Sequence, residues 1–274
     1  MRVAFLSGDI SRTGGTERVA TVIASALAER GLEVRILSMM YGDVSGFPTS
    51  PAVTLSSLHM ERRSANFSDV AKWRALRRFV RDHEIDVLVD VDVVLSWYSL
   101  IATWGLPARV ISWEHFHYFV NVGDAGQRLR RALARRMAVK RAQAVVTLTH
   151  RDREQYMMQL PCWRPVVTIP NPITVGNSEC ASLERPVVLA AGRLVEQKGF
   201  DLLLQAWALV ADVDRSWTLR IVGSGIQEPL LRTQASELGV QDVVEFIPHA
   251  ADMEEHYISA SIFVLSSRFE GFGL

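Results

Sequence analysis

Pro186-Val187-Val188-Leu189-Ala190-Ala191-Gly192-Arg193-Leu194-Val195-Glu196-Gln197-Lys198-Gly199-Phe200-Asp201 reads as a strand, a cationic loop and the start of a helix. The apolar run 186–191 has the length and content of a strand buried on both faces. Gly192 stops it. Arg193 and Lys198 follow in the loop, and 201–207 opens a helical spacing. In α/β proteins ligands sit beyond the carboxyl ends of strands, where helix N-termini point N–H groups at an anion. A planar guanidinium fork beside an ammonium point charge suits a diphosphate. The same residues also fit a turn with two solvated cations, and their chemistry alone leaves both readings open.

Working outward, the strand–loop–helix theme repeats. On the C-terminal side, strands are expected at 218–222, 243–247 and 262–265, with helices at 228–238 and 250–260. Gly223-Ser224-Gly225 forms a tight turn after the first of these strands. On the N-terminal side, 2–7 and 33–38 read as strands around a helix at 16–30, a βαβ unit. Further strands are expected at 53–55, 86–90, 109–113, 144–148 and 166–169, with basic helices at 70–82 and 127–141. Pro170-Asn171-Pro172 is a stiff linker, and 174–185 is polar and irregular. The pattern predicts an α/β protein of two doubly wound domains, 1–170 and 186–274, joined by a hinge at 171–185.

Two stretches carry a family resemblance. Ala191-Gly192-Arg193-Leu194 with Gln197-Lys198-Gly199-Phe200-Asp201 is followed by Ser266-Ser267-Arg268-Phe269-Glu270-Gly271-Phe272-Gly273-Leu274. Their order and spacing resemble the retaining glycosyltransferases of family 4 (group 1), which have the two-domain, Rossmann-like GT-B fold. The resemblance spans the chain and is closest in feel to bacterial polysaccharide and lipid-linked oligosaccharide transferases. It implies a nucleotide-diphosphate sugar donor, UDP- or GDP-linked, with no cofactor and no metal. Donor contacts would come from Gly15, Arg193, Lys198, Gly223, Phe272 and Gly273. His115, at the carboxyl end of the strand 109–113, and Glu270 would face the donor sugar as the catalytic pair. Gly14, Thr16 and Glu17 match the family's Gly-Gly-x-Glu loop, here assigned to an acceptor or phosphate; Gly-Gly before a helix also fits a plain turn. Two departures stand out. Pro172 replaces the family's hinge Gly, and Pro248-His249 replaces a Gly near the expected nucleotide base. The partner of Glu270 in the family's Glu-x7-Glu motif would fall beyond Leu274, so the second domain is expected to be incomplete.

Composition sets bounds. The 274 residues contain 30 Lys+Arg and 30 Asp+Glu. That charge is unevenly shared: 1–175 holds 23 cations against 16 acids, and 176–274 holds 7 against 14. A basic first half fits an anionic surface or ligand. The helix 127–141 has seven cations, no acid, and Leu129, Ala132, Leu133 and Met137 on one stripe. It reads either as a basic amphipathic helix on an anionic membrane or as a core helix with a solvated basic face. Cys162 and Cys180 form neither a metal motif nor a disulfide framework, which fits a reducing compartment. The N-terminal apolar run is too short for a signal peptide, and no run approaches a spanning helix. The expected place is the cytoplasm, with contact at the inner membrane face and no nucleic-acid partner. The expected reaction is transfer of a sugar to a glycan acceptor, polyprenyl-diphosphate-linked, in cell-surface polysaccharide or lipopolysaccharide synthesis. The rival reading is a truncated, non-catalytic remnant of such an enzyme. An epimerase or phosphorylase of the same architecture fits the Glu270 motif less well.

Overall fold

The structure is a computed structural model that describes residues 1–41, 43–59, 69–119, 124–173, 180–181, 183–250 and 252–270. Phe272 and Gly273 lie outside the described residues. The chain forms two compact units, Met1–Thr174 and Val175–Glu270.

The first unit is a seven-stranded parallel sheet. Its strands are β1 (Arg2–Ser7), β2 (Glu33–Ser38), β3 (Val53–Ser57), β4 (Val87–Asp90), β5 (Arg109–Glu114), β6 (Ala144–Thr147) and β7 (Val166–Thr168). Their order is β3-β2-β1-β4-β5-β6-β7, so the order reverses at β1 and β4. Alternate residues of β1 feed two cores. Val3 and Phe5 join a cluster with Val19, Ala20 and Ala24 of α1 (Gly15–Glu29). Ala4 and Leu6 join a cluster with Leu76 of α2 (Asp69–Asp82), Leu100 of α3 (Ser96–Ala102), Val139 of α4 (Ala125–Arg141) and Tyr156 of α5 (His150–Gln159). Burial on both faces explains why these strands read as continuous apolar runs.

The second unit repeats the scheme with β8 (Val187–Ala191), β9 (Thr218–Val222), β10 (Val244–Ile247) and β11 (Ile262–Phe263). All pair in parallel in the order β10-β9-β8-β11, which reverses at β8 and β11. Val188 and Ala190 pack on α6 (Phe200–Ala211) and α7 (Glu228–Glu237). Leu189 and Val222 pack toward Tyr257 of α8 (Glu254–Ile258) on the other face. The helix expected at 250–260 is only this short α8, and the strand expected at 262–265 pairs over two residues.

In α4 the alternative that put the apolar stripe in the core fails. The predicted apolar stripe is not the buried one: Leu129 is 60% exposed, and Ala132 is exposed as well. The inward face is Arg131, Ala134, Arg135, Ala138 and Val139. The small alanines let the helix lie close to the sheet. The two arginines turn inward because buried carboxylates meet them there.

Candidate active site

In the second unit, three loops at the carboxyl ends of β8, β9 and β11 are laced together. Gly223 has φ of 154°, and a Cβ there would collide with the Gly192 carbonyl oxygen, so the loops after β8 and β9 close on bare backbone. Gly199 is left-handed (φ 65°), forms the N-cap of α6 and abuts the Ser266 carbonyl oxygen, which only a residue without a side chain permits. Ser266 Oγ donates to the Lys198 carbonyl (2.9 Å), and the Arg268 N–H donates to that of Gln197 (2.8 Å). Arg268 forks onto both oxygens of Asp201 at 2.7 and 2.6 Å. The hydrogen bonds from this guanidinium hold the Asp201 carboxyl below its ordinary range.

Lys198 sits at the end of a 3-10 turn, Glu196–Lys198. Its stem runs over Gly192, close enough that a Cβ there would lie 3.2 Å from Cε. Its ammonium meets Glu270 Oε1 at 2.5 Å, and Ser267 Oγ donates to the same oxygen at 2.7 Å. Both side chains keep about a fifth of their surface exposed, 19% and 22%. Arg193 is exposed and has no ion pair among the described residues. The fold therefore brings Lys198, Glu270, Gly192 and Gly223 together and leaves Arg193 free at the same loop.

In the first unit, α1 begins at Gly15, with Gly14 as its N-cap and Thr16 half-buried. The Glu17 carboxylate folds back over Gly14, where an added Cβ would clash with Oε2. Burial raises the Glu17 carboxyl, and Asp9 and Asp92 raise it further, against a backbone hydrogen bond and Arg12. The loop thus carries its own acid over the helix N-terminus, a favourable place for negative charge.

His115 follows the last residue of β5 and is 8% exposed. Its ring lies 4.3 Å from that of Trp113, and its Nε2 is buried with no hydrogen-bond partner. Burial pushes its pKa down to about 4, so the imidazole is neutral.

Around it stands a network that sequence reading missed. Arg131 forks onto Asp92 with two bonds of 2.9 Å and reaches Glu114 at 3.1 Å. Arg135 donates to Glu114 at 2.7 Å and to the Tyr118 carbonyl at 2.6 Å. Tyr156 donates to Glu114 at 2.8 Å. Nearby, Asp90 is fully buried and accepts from Ser96 and Ser99, each at 2.7 Å. Burial pushes its carboxyl up to about 7. The signal available in the sequence was the acid placement: Asp90, Asp92 and Glu114 all stand at strand carboxyl ends. Among the described residues no cluster of His, Cys, Asp and Glu side chains could hold a metal ion.

Comparison with known proteins gives the family. Residues 13–176 match the Glycosyltransferase Family 4 model, and 178–274 match that of glycosyl transferases group 1. An uncharacterized glycosyltransferase of Haemophilus influenzae is 32% identical over 274 residues, which is all of this chain and 76% of that protein. The amylovoran biosynthesis glycosyltransferase AmsD of Erwinia amylovora is 24% identical, covering 98% of this chain and 75% of its own. Among solved structures, Anabaena HepE in complex with UDP superposes with a TM-score of 0.71 at 17% identity, over 100% of this chain and 76% of that one. The chain thus belongs to the family 4, group 1 glycosyltransferases and has the GT-B fold of its structural neighbours.

Proposed function

We propose that the protein transfers a sugar, with retention at the anomeric carbon, from a nucleoside-diphosphate donor to a glycan acceptor carried on a polyprenyl diphosphate, in the building of a bacterial surface polysaccharide. The observation that carries this is the cradle after β8 and β9. Gly192 and Gly223 meet there on bare backbone, with the Lys198 stem over Gly192 and Arg193 unpaired in the same loop. A departing diphosphate needs such fixed positive charge as an oxocarbenium-like centre forms. UDP bound by the HepE neighbour and amylovoran synthesis by the AmsD relative support the donor and pathway classes.

His115 and Glu270 keep the sugar-hydroxyl roles that the resemblance gives them. A neutral imidazole can donate to one hydroxyl or accept from it. Retention needs no protein base when the leaving phosphate takes the acceptor proton on the same face. Gly14, Thr16 and Glu17 take the acceptor or phosphate side, and Gly15 a donor contact.

Membrane contact is proposed through the basic helices. Arg74, Arg78 and Arg81 of α2 are exposed, as are five of the seven cations of α4. Two exposed tryptophans flank the end of α4. Trp104 (63% exposed) lies under Arg141 at 4.2 Å, and Trp163 (74%) faces Lys140 at 5.7 Å. Cations beside tryptophan suit a headgroup region. Among the described residues no helix is long and apolar enough to cross a membrane.

The test is nucleotide release from a panel of UDP- and GDP-sugars, with and without a membrane-lipid extract, beside Lys198→Ala. Release that is lost with Lys198→Ala supports the proposal and names the donor. Release unchanged by Lys198→Ala, or none from a folded chain, overturns it.

A further inference from the structure

The turn that bears His115 is held by a guanidinium that bonds its neighbours. Glu114 precedes His115 and Phe116 follows it. Glu114 Oε1 accepts the Phe116 N–H at 3.2 Å, which closes a small loop around His115. Arg131 donates to the same Oε1 at 3.1 Å, and its Cζ lies 4.6 Å from the centre of the Phe116 ring. The rest of its fork is locked on Asp92, in the loop after β4, at 2.9 Å for each bond. Asp92 is itself fixed, because its Oδ1 accepts the Val94 N–H at 3.0 Å. On the far side of Glu114, Arg135 and Tyr156 fill Oε2 at 2.7 and 2.8 Å.

A buried ion network of this kind is a poor source of stability, because desolvation offsets much of its attraction. Its value lies in geometry. A bidentate fork has one low-energy arrangement, and here it spans the two residues either side of His115 and a second strand end. The imidazole itself is left with an unpartnered, buried Nε2. That is an open hydrogen-bond position whose direction is set by the turn and by the packing of the ring on Trp113.

The geometry points to Arg131 as a positioning residue, which fixes the 114–116 turn so that the His115 imidazole presents Nε2 in one orientation. This rests on the reading of His115 as a ligand of a sugar hydroxyl. The charges of the clamp act on the ring in opposite senses. Arg131 opposes protonation of the ring, Asp92 favours it, and burial decides for the neutral form.

The experiment separates the clamp from that reading. The full chain is labelled with 15N at histidine, and the His115 ring signals are assigned by their loss in His115→Gln. Arg131→Lys keeps the charge but loses the fork. Asp92→Asn keeps Arg131 but loosens its grip, and guards against an Arg131 variant that does not fold. In folded protein both variants move or broaden the His115 ring signals, Arg131→Lys the more. With UDP-glucose as probe, nucleotide release by Arg131→Lys falls about 10- to 100-fold in kcat, with KM within about twofold, the mark of lost alignment. His115 signals that stay unchanged in both folded variants overturn the clamp. Moved signals with release unaffected by His115→Gln uphold the clamp and remove the role of His115 instead.

Discussion

The two units keep charge at the carboxyl ends of parallel strands in opposite ways. In the first, Glu114 is 1% exposed and every oxygen is engaged by Arg131, Arg135, Tyr156 or backbone. In the second, Lys198 and Glu270 form one contact that solvent reaches. A closed network cannot exchange partners without leaving a buried charge alone. An open pair can give up one partner to a ligand. The first arrangement suits holding a turn still, the second suits taking up a diphosphate.

The largest effect is expected from opening the closed network. Arg135→Met removes one partner of buried Glu114 and lowers unfolding stability by about 3–5 kcal/mol. Adding Glu114→Gln to Arg135→Met recovers part of that loss, since the uncompensated charge is gone. Denaturant unfolding of the single and double variants measures both. A single variant as stable as the parent would show that the network is not closed.

Much of this contrast was invisible in the sequence. The strand–loop–helix scheme was accessible because β1 and β8 are apolar runs stopped by Gly8 and Gly192, each followed by a helical spacing. The open pair was half-legible: Lys198 and Glu270 stand in two recognisable stretches, although their contact spans 72 residues. The closed network was not. Arg131 meets Asp92 across 39 residues and Tyr156 meets Glu114 across 42. Hydropathy assigns every arginine to the surface, so a core reading of α4 selects the Leu129 stripe for burial. Only the partners reverse that choice, and no local spacing reveals them. The short polar helix α5 was missed for a related reason: its start is fixed by the Thr149 side chain, which accepts from Asp152 N at 3.0 Å.

Next in size is a pair of opposing pH effects within the first unit. Asp90 titrates near 7 in the fold, against about 3.9 when unfolded. Between those values the folded state binds the extra proton, so this contribution is full at low pH and is lost as pH rises to about 7. His115 titrates near 4 in the fold, against about 6.5 unfolded. Here the unfolded state binds the extra proton, so this contribution is present above about 6.5 and is lost as pH falls toward 4. Each slope is at most about 1.4 kcal/mol per pH unit, and they offset each other between about pH 4 and 6.5. Asp90→Asn exposes the histidine slope, and stability then rises with pH from 5 to 6.5. His115→Gln exposes the aspartate slope, and stability falls over the same range. Parallel pH profiles for the two variants would refute the assignment.

In the second unit the effects fall on ligand affinity rather than on folding. Lys198→Ala and Arg193→Ala each leave the melting curve near that of the parent, because neither side chain is part of a closed core. Each weakens UDP binding by about tenfold, the loss of one charge-assisted contact of roughly 1.5 kcal/mol. Calorimetric titration with UDP reads this directly. Affinity unchanged in both variants would detach the diphosphate from this loop.

The smallest and sharpest effect belongs to Glu270. In the free protein its carboxylate occupies the Lys198 ammonium that a diphosphate would need. Glu270→Gln removes that competing charge and keeps the shape of the side chain. The pair is partly exposed, so it is worth up to about 1 kcal/mol, and UDP affinity rises by about two- to fivefold. Sugar transfer moves the other way, because the same carboxylate is assigned a hydroxyl of the donor sugar. Tighter UDP with slower transfer is a combination that general damage to the loop cannot produce, since damage weakens both. Ser267→Ala serves as the comparison: it removes a bond to Glu270 but leaves the carboxylate on Lys198, so it loosens the pair without discharging it. Glu270→Gln with UDP affinity equal to or below the parent's would mean that Lys198 is not shared between the carboxylate and the diphosphate. The pair would then be as fixed as the network of the first unit.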